Sequence, residues 1–201
     1  MDDDASVREA LGNLLESVGF DAQLFSSTEQ FRRASNLDGP SCLLLDIRLP
    51  GANGLDFQES LQKAGISIPI IFITAHGNVP MASRALRAGA VEFLMKPFQK
   101  NELLGAIRQA LERDRVQRTE NAELIAIQSR FNQLTSRESE VLELVVSGLT
   151  NKEIASHLAI SEVTTKMHRG QVMRKMNAAS LADLVRMSDK VKAYSRKEKA
   201  Q

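Results

Sequence analysis

The chain has 201 residues, with 43% hydrophobic and 25% charged content, which is ordinary for globular protein and suits one large domain or two small ones. The lone Cys42 excludes an intramolecular disulfide, no apolar stretch approaches the roughly 18 residues of a membrane span, and the acidic N-terminus lacks the basic region of a signal peptide; a cytoplasmic protein with no membrane partner is expected. The net charge of +1 divides unevenly: residues 1–133 carry 14 Lys+Arg against 17 Asp+Glu, residues 134–201 carry 12 against 8, and the basic C-terminal third points to a polyanionic partner.

The chain opens "MDDDASVREA". Most acidic clusters at a terminus are solvated, so this one is either a frayed end or half of a site whose other half lies elsewhere. "VREALGNLLESVGF" places Val7, Leu11, Leu14, Leu15 and Val18 on one helical face. "SCLLLD", "PIIFIT" and "VEFLM" are short, dense apolar runs, as strands buried on both faces of a parallel sheet are. Between them "NGLDFQESLQKAG" and "NVPMASRALRAGA" are helix-like and end at Gly65 and Gly89. This alternation predicts a doubly wound α/β domain.

No Pro or Gly interrupts the chain between Ala106 and Ser147. Leu103, Ile107 and Leu111 continue a helical stripe, and "ERDRVQRTENAE" is charged at 7 of 12 positions, so residues 101–133 read as a last helix running into an exposed helical linker. Ile125, Ile127, Phe131 and Leu134 give that linker some apolar surface. From Leu134 the pattern is all helical. "TSRE" (Thr135, Glu138) and "TNKE" (Thr150, Glu153) match the capping box; Ser161 and Ser180 fit N-caps, and Gly148 fits a helix end. Four helices are predicted, at about 136–147, 151–158, 162–176 and 181–192, the second and third joined by "AIS" as a helix-turn-helix requires.

In parallel α/β sheets, functional groups gather at the carboxyl ends of strands. Here those ends carry an acid, Asp46, a hydroxyl, Thr74, and a base, Lys96, with Pro50-Gly51 and Lys96-Pro97 following. An Asp-nucleophile phosphatase of the haloacid dehalogenase kind needs a second acid two residues after the nucleophile, and that position holds Arg48.

"LLLDIRLPGANGLDF", "IPIIFITAHGNVPMASRALRAGAVEFLMKPF" and "DDDASVRE" together resemble the response-regulator receiver domains over nearly all of residues 2–110, and "HGNVPMASRALRAGA" resembles the FixJ-type branch. The resemblance implies a flavodoxin-like fold in which Asp46 accepts a phosphoryl group from a sensor histidine kinase. It further implies that Asp2, Asp3, Asp46 and the backbone carbonyl of Arg48 hold Mg²⁺, that Lys96 pairs with the phosphoryl oxygens, that Thr74 bonds the phosphate and that Phe93 turns inward. In the family the paired acids end a central, apolar first β-strand, in the order 2-1-3-4-5. The residues that should form it are absent before Met1, so an N-terminally truncated receiver is expected, with a gap of roughly two strand spacings, ~9–10 Å.

"LTSRESEVLELVVSGLTNKEIASHLAISEVTTKMHRGQVMRKMNAASLADLVRM" resembles the LuxR-type DNA-binding domain, with residues 162–176 as recognition helix. Helical periodicity places Thr165, His168, Val172 and Met176 on one face, toward the core, and Val163, Lys166, Met167, Gly170, Gln171 and Arg174 on the other, toward a major groove. Lys166 suits guanine or phosphate and Met167 a thymine methyl, while Arg174 and Lys152 suit phosphates. Thr165 departs from the family's usual Val and needs a partner for its hydroxyl; Gly170 leaves a gap where relatives place a longer side chain.

The expected organisation is a receiver at 1–110, a helical linker at 111–133 and an all-α four-helix LuxR-type domain at 134–201. The expected function is that of a phosphorylation-dependent transcriptional regulator, an activator by resemblance, that dimerises on phosphorylation, binds double-stranded DNA and works with RNA polymerase; it is not an enzyme. A constitutive DNA-binding regulator whose truncated receiver serves only for dimerisation stays open as the alternative. A small-ligand-sensing LuxR regulator would need a ligand pocket where this chain has receiver motifs.

Overall fold

The computed structural model describes residues 1–34, 37–49 and 51–198; Pro50, which the sequence singled out with Gly51, and residues 199–201 lie outside them. The chain divides into two compact units, Met1–Arg118 and Thr119–Gln201.

The first unit runs α1 (Ala5–Ser17), α2 (Thr28–Ala34), β1 (Leu43–Leu45), β2 (Arg48–Leu49), β3 (Ala52–Asn53), α3 (Gly54–Lys63), β4 (Ile70–Thr74), α4 (Val79–Arg87), β5 (Glu92–Met95) and the first part of α5 (Lys100–Phe131). β1, β4 and β5 form a parallel sheet in that order, with Leu45 opposite Phe72 and Thr74 opposite Met95. β2 and β3 make a separate antiparallel pair, Arg48 opposite Asn53. Every residue of β4 is buried, and the period-2 alternation of a strand sorts them between two cores. Ile70 and Phe72 pack with Phe31, Leu55, Phe57, Leu61 and Ala85, from α2, α3 and α4. Ile71 and Ile73 pack with Leu103, Leu104 and Ile107 of α5 and with Leu11, Leu14 and Leu15 of α1. These two layers of helix over one sheet are the doubly wound arrangement the apolar runs predict.

Met1 takes a strand position beside β1. Its amino group donates to Leu44 O at 2.6 Å and its carbonyl accepts from Asp46 N at 3.0 Å, the bonding pattern of a parallel bridge opposite Leu45. On its other side Asp2 N donates to Phe25 O at 3.3 Å. Among the described residues the parallel sheet has three strands, and this single residue marks the place of the apolar first strand expected from the family.

The second unit holds the rest of α5, then α6 (Ser136–Val146), α7 (Asn151–His157), α8 (Glu162–Met176) and α9 (Leu181–Glu198), close to the four predicted helices. Both capping boxes form, and Ser161 caps α8 through Thr164 N. The turn from α7 to α8 passes through Ala159 at φ 51°, a left-handed conformation rare outside glycine. The core is Val141, Leu142, Val145, Ile154, Val172, Met176 and Leu184.

The predicted helix over 101–133 forms as α5, but it is less exposed than its charge implies. Ile127 is 2% exposed in the second unit's core, with Phe131 and Leu134 packed beside it. In the first unit Asp114 is also 2% exposed, accepting from Ser41 N at 2.8 Å and from Arg118 Nε at 2.6 Å. Two partners replace the water that the carboxylate loses, which is why a charged position can face inward here.

Glu138 does more than complete a cap. Its Oε2 accepts from Thr135 N at 2.8 Å and from Lys175 Nζ of α8 at 2.6 Å. The Lys175 hydrogen bond, then the Thr135 backbone bond, hold its carboxyl below the usual carboxylate range. A depressed folded pKa stabilises above the unfolded value, about 4.3, and that contribution fades as pH falls through the folded value. Glu138→Ala is expected to cost about 1–2 kcal/mol at neutral pH. Urea unfolding of the full chain should show that loss shrinking as the pH is taken below the ordinary carboxylate range.

Candidate functional site

Because β1, β4 and β5 are parallel and in register, their carboxyl ends share one edge. Asp46 follows β1, Thr74 ends β4 and Lys96 follows β5, preceding a cis peptide bond to Pro97. Met1, bonded to the other side of β1, delivers Asp2 and Asp3 to the same edge. The side chains converge: Lys96 Nζ donates to Asp2 Oδ2 at 2.5 Å and to Asp46 Oδ2 at 3.0 Å. Asp2 is 1% exposed and Asp46 7%, whereas Asp3 faces solvent.

The three adjacent acids have three different fates. Asp2 enters the site, with Oδ1 accepting from Asp4 N at 3.1 Å. Asp3 offers one oxygen at its rim. Asp4 is the N-cap of α1, accepting from Ser6 N and Val7 N. Arg8, one turn into α1, fixes the bend between them by donating from Nη1 to the carbonyls of Asp2 and Asp3, both at 2.8 Å. The acidic cluster is therefore not a frayed end. Arg8 was legible only as a basic residue one helical turn past a cap.

One oxygen from each of Asp2, Asp3 and Asp46 lies within 4.8 Å of the others. Hard carboxylate donors, two of them buried, fit a divalent cation. Lys96 supplies the compensating charge in this arrangement. Burial works against its ammonium, but the hydrogen bonds to Asp2 and Asp46 outweigh that, and its pKa stands above the ordinary lysine value. Arg48 N donates to Asp46 Oδ1 at 3.1 Å, so the residue offers its amide to the same carboxylate.

Gly54 and Gly77 were not singled out by sequence. A Cβ on Gly54 would stand 2.4 Å from Asp46 O and 3.0 Å from Ile47 Cα, both backbone. Gly54 N also donates to Ile47 O at 2.8 Å. The start of α3 thus presses against the loop that carries Asp46. Gly54→Ala is expected to destabilise the first unit by about 1–3 kcal/mol or more, since backbone must yield. Chemical denaturation checks it.

At the second strand end Thr74 is 1% exposed, its Oγ1 accepting from His76 N at 3.2 Å. Phe93, within β5, is half-buried, packed against the first core and 6.2 Å from Phe72 between ring centroids.

In the second unit α8 presents the predicted outward face. Val163 and Met167 are 71% and 66% exposed, large for apolar side chains, and Lys166, Gly170 and Arg174 are also exposed. A Cβ on Gly170 would meet nothing within 4 Å, so longer side chains have room there. Gln171 is half-buried and its Oε1 accepts from Arg174 Nη2. Lys152 is exposed on α7. On the inner face Thr165, Val172 and Met176 are buried and His168 half-buried. The Thr165 hydroxyl finds the partner it needs, donating to Ser161 O at 3.1 Å. Arg169 Nη1 donates to Asn151 Oδ1 at 3.0 Å and locks α8 to α7, a pairing 18 residues apart that periodicity does not reveal.

No helix among the described residues is long and apolar enough to cross a membrane. Residues 1–108 match the response regulator receiver domain, and residues 132–188 match the bacterial regulatory proteins of the luxR family. The chain is 48% identical over 189 residues to Nodulation protein W of Bradyrhizobium diazoefficiens, covering 94% of this chain and 83% of that protein. The solved response regulator StyR is similar at 46% identity and a TM-score of 0.84, over 94% of this chain and 96% of that one. Full-length FixJ from B. japonicum is similar at 37% identity and a TM-score of 0.55, over 96% and 95%. With an acid-and-lysine cluster at the carboxyl edge of a parallel sheet in one unit and a helix-turn-helix in the other, the chain belongs to the FixJ/LuxR family of two-component response regulators, phosphorylation-dependent DNA-binding transcription factors.

Proposed function

We propose that Asp46 is the phosphoacceptor and that its phosphorylation switches this chain from a weak to a strong DNA binder. The observation that carries the reading is the convergence of Asp2, Asp46 and Lys96, within hydrogen-bond distance, at the edge that also holds Thr74. An Asp46 oxygen would attack the phosphorus of a sensor kinase's phosphohistidine. The new O–P bond forms as the P–N bond breaks, and the leaving imidazole takes a proton. Asp2, Asp3, Asp46 and the carbonyl of Arg48 would hold Mg²⁺, which would supply positive charge against the crowded carboxylates and the incoming phosphoryl group. Lys96 would move its ammonium from Asp2 and Asp46 to the transferred group, where charge develops.

The phosphoryl group then adds negative charge and strong acceptors. Thr74 turns its hydroxyl toward them and Phe93 settles inward, which reshapes residues 78–100 and favours a homodimer. In this reading residues 1–110 are the receiver, 111–133 the linker and 134–201 the DNA-binding domain. Paired copies of α8 would enter major grooves about one helical turn, or a multiple, apart. Val163, Lys166, Met167, Gly170 and Gln171 would face base edges, with Arg174 and Lys152 on phosphates, and the bound dimer would meet RNA polymerase.

Sedimentation velocity with an acyl-phosphate donor and Mg²⁺ tests the switch. The expected result is a monomer that becomes a dimer only with both present. An unchanged sedimentation coefficient in protein shown to carry the phosphoryl group would contradict it.

A further inference from the structure

Gly77 lies in the loop between β4 and α4, and its missing side chain leaves a seat that two other residues fill. A Cβ built there would stand 2.8 and 2.9 Å from Phe93 Cε1 and Cζ, and 3.1 Å from Thr74 Cγ2. Real Cβ atoms do not approach ring carbons so closely, so the ring occupies the space an alanine would need. Thr74 is buried beside it, and the Phe93 ring lies 6.2 Å from that of Phe72 between centroids. In this position the ring is half-buried.

We propose that Gly77 is a positioning residue for the switch: it keeps open the inward seat of Phe93 against Thr74, and any side chain at residue 77 drives the ring outward. The inference rests on the reading of Thr74 and Phe93 given under Proposed function. The three heavy atoms nearest a Cβ at residue 77 belong to Phe93 and Thr74, not to Asp2, Asp46 or Lys96, so Gly77 is assigned no part in phosphoryl transfer itself. Gly77→Ala should therefore separate two events that occur together in the wild type. Asp46 still takes up the phosphoryl group, but the surface shaped by the ring no longer responds.

The test uses the full chain labelled with fluorophenylalanine and followed by fluorine NMR. The chain has 8 phenylalanines, and the Phe93 signal is the one missing from Phe93→Leu. In the wild type an acyl-phosphate donor with Mg²⁺ should shift that signal. In Gly77→Ala it should start displaced, fail to reach the wild-type end point, and the donor-dependent gain in dimer should fall about tenfold or more, while label incorporation continues. Stability supplies the second readout: Gly77→Ala should destabilise the wild-type chain and cost little in the Phe93→Leu background, where the ring carbons are gone. If Gly77→Ala gives the wild-type end point, or costs the same stability in both backgrounds, the seat is not for the ring and the inference is overturned while the switch reading stands. If the wild-type Phe93 signal does not move on phosphorylation, the switch reading fails and the inference falls with it.

Discussion

Asp46→Asn is expected to abolish phosphoryl uptake, lowering Mg²⁺-dependent incorporation of label from an acyl-phosphate donor by at least about a hundredfold. The amide has the shape of the carboxylate but is no nucleophile, and it removes one charge from the group that fits a divalent cation. The fold should survive the change. An amide oxygen still accepts from Arg48 N, which is 3.1 Å from Asp46 Oδ1, and Lys96 keeps its 2.5 Å partner Asp2. Loss of label with an unaltered unfolding midpoint would place the defect in the chemistry. Lys96→Ala is the informative contrast: it leaves the nucleophile in place but strips the compensating charge from two buried carboxylates, so it should lower apo stability as well as function.

Lys166→Ala is expected to carry the largest effect on DNA recognition. The side chain stands exposed between Val163 and Met167, which are exposed as well. Removing it should weaken binding to a preferred site by about 1–3 kcal/mol and relax base preference at one position of each half-site. Alanine suits a helix, so the fold is not at risk. Arg174→Ala should behave differently. It should weaken binding to all sequences alike and reduce the salt dependence by about one counterion, as phosphate contacts do. Gly170→Lys, placed where a Cβ meets nothing within 4 Å, should alter affinity or site preference. Equilibrium binding to sites selected from a random duplex library, across a salt series, separates these outcomes.

Much of this was legible because the relevant signals are local. Three apolar runs ending in Asp46, Thr74 and near Lys96 announce buried parallel strands, and parallel pairing alone brings their ends to one edge. Thr135 with Glu138 and Thr150 with Glu153 mark helix starts because a capping box needs only four consecutive residues. The rest depends on partners far apart in the chain. Glu138 reads as a cap residue, and only the fold reveals Lys175 bonded to it across 37 positions. Nothing in the sequence distinguishes Gly54 and Gly77, which must stay bare, from Gly170, which has open space around it. The two-residue strands β2 and β3 are too short for a period to show. The linker's charge pattern hides Asp114 and Ile127, whose burial is decided by Ser41 and by the core of the second unit.

Phosphorylation of Asp46 is expected to control DNA binding. Gel-shift titration of the wild-type chain and Asp46→Asn on one selected duplex, each with and without acyl-phosphate donor and Mg²⁺, tests it most directly. A donor-dependent gain in affinity is expected for the wild type and none for Asp46→Asn, the two proteins binding alike without donor. A wild-type affinity unchanged by donor and Mg²⁺, or an Asp46→Asn chain that responds as well as wild type, would contradict it.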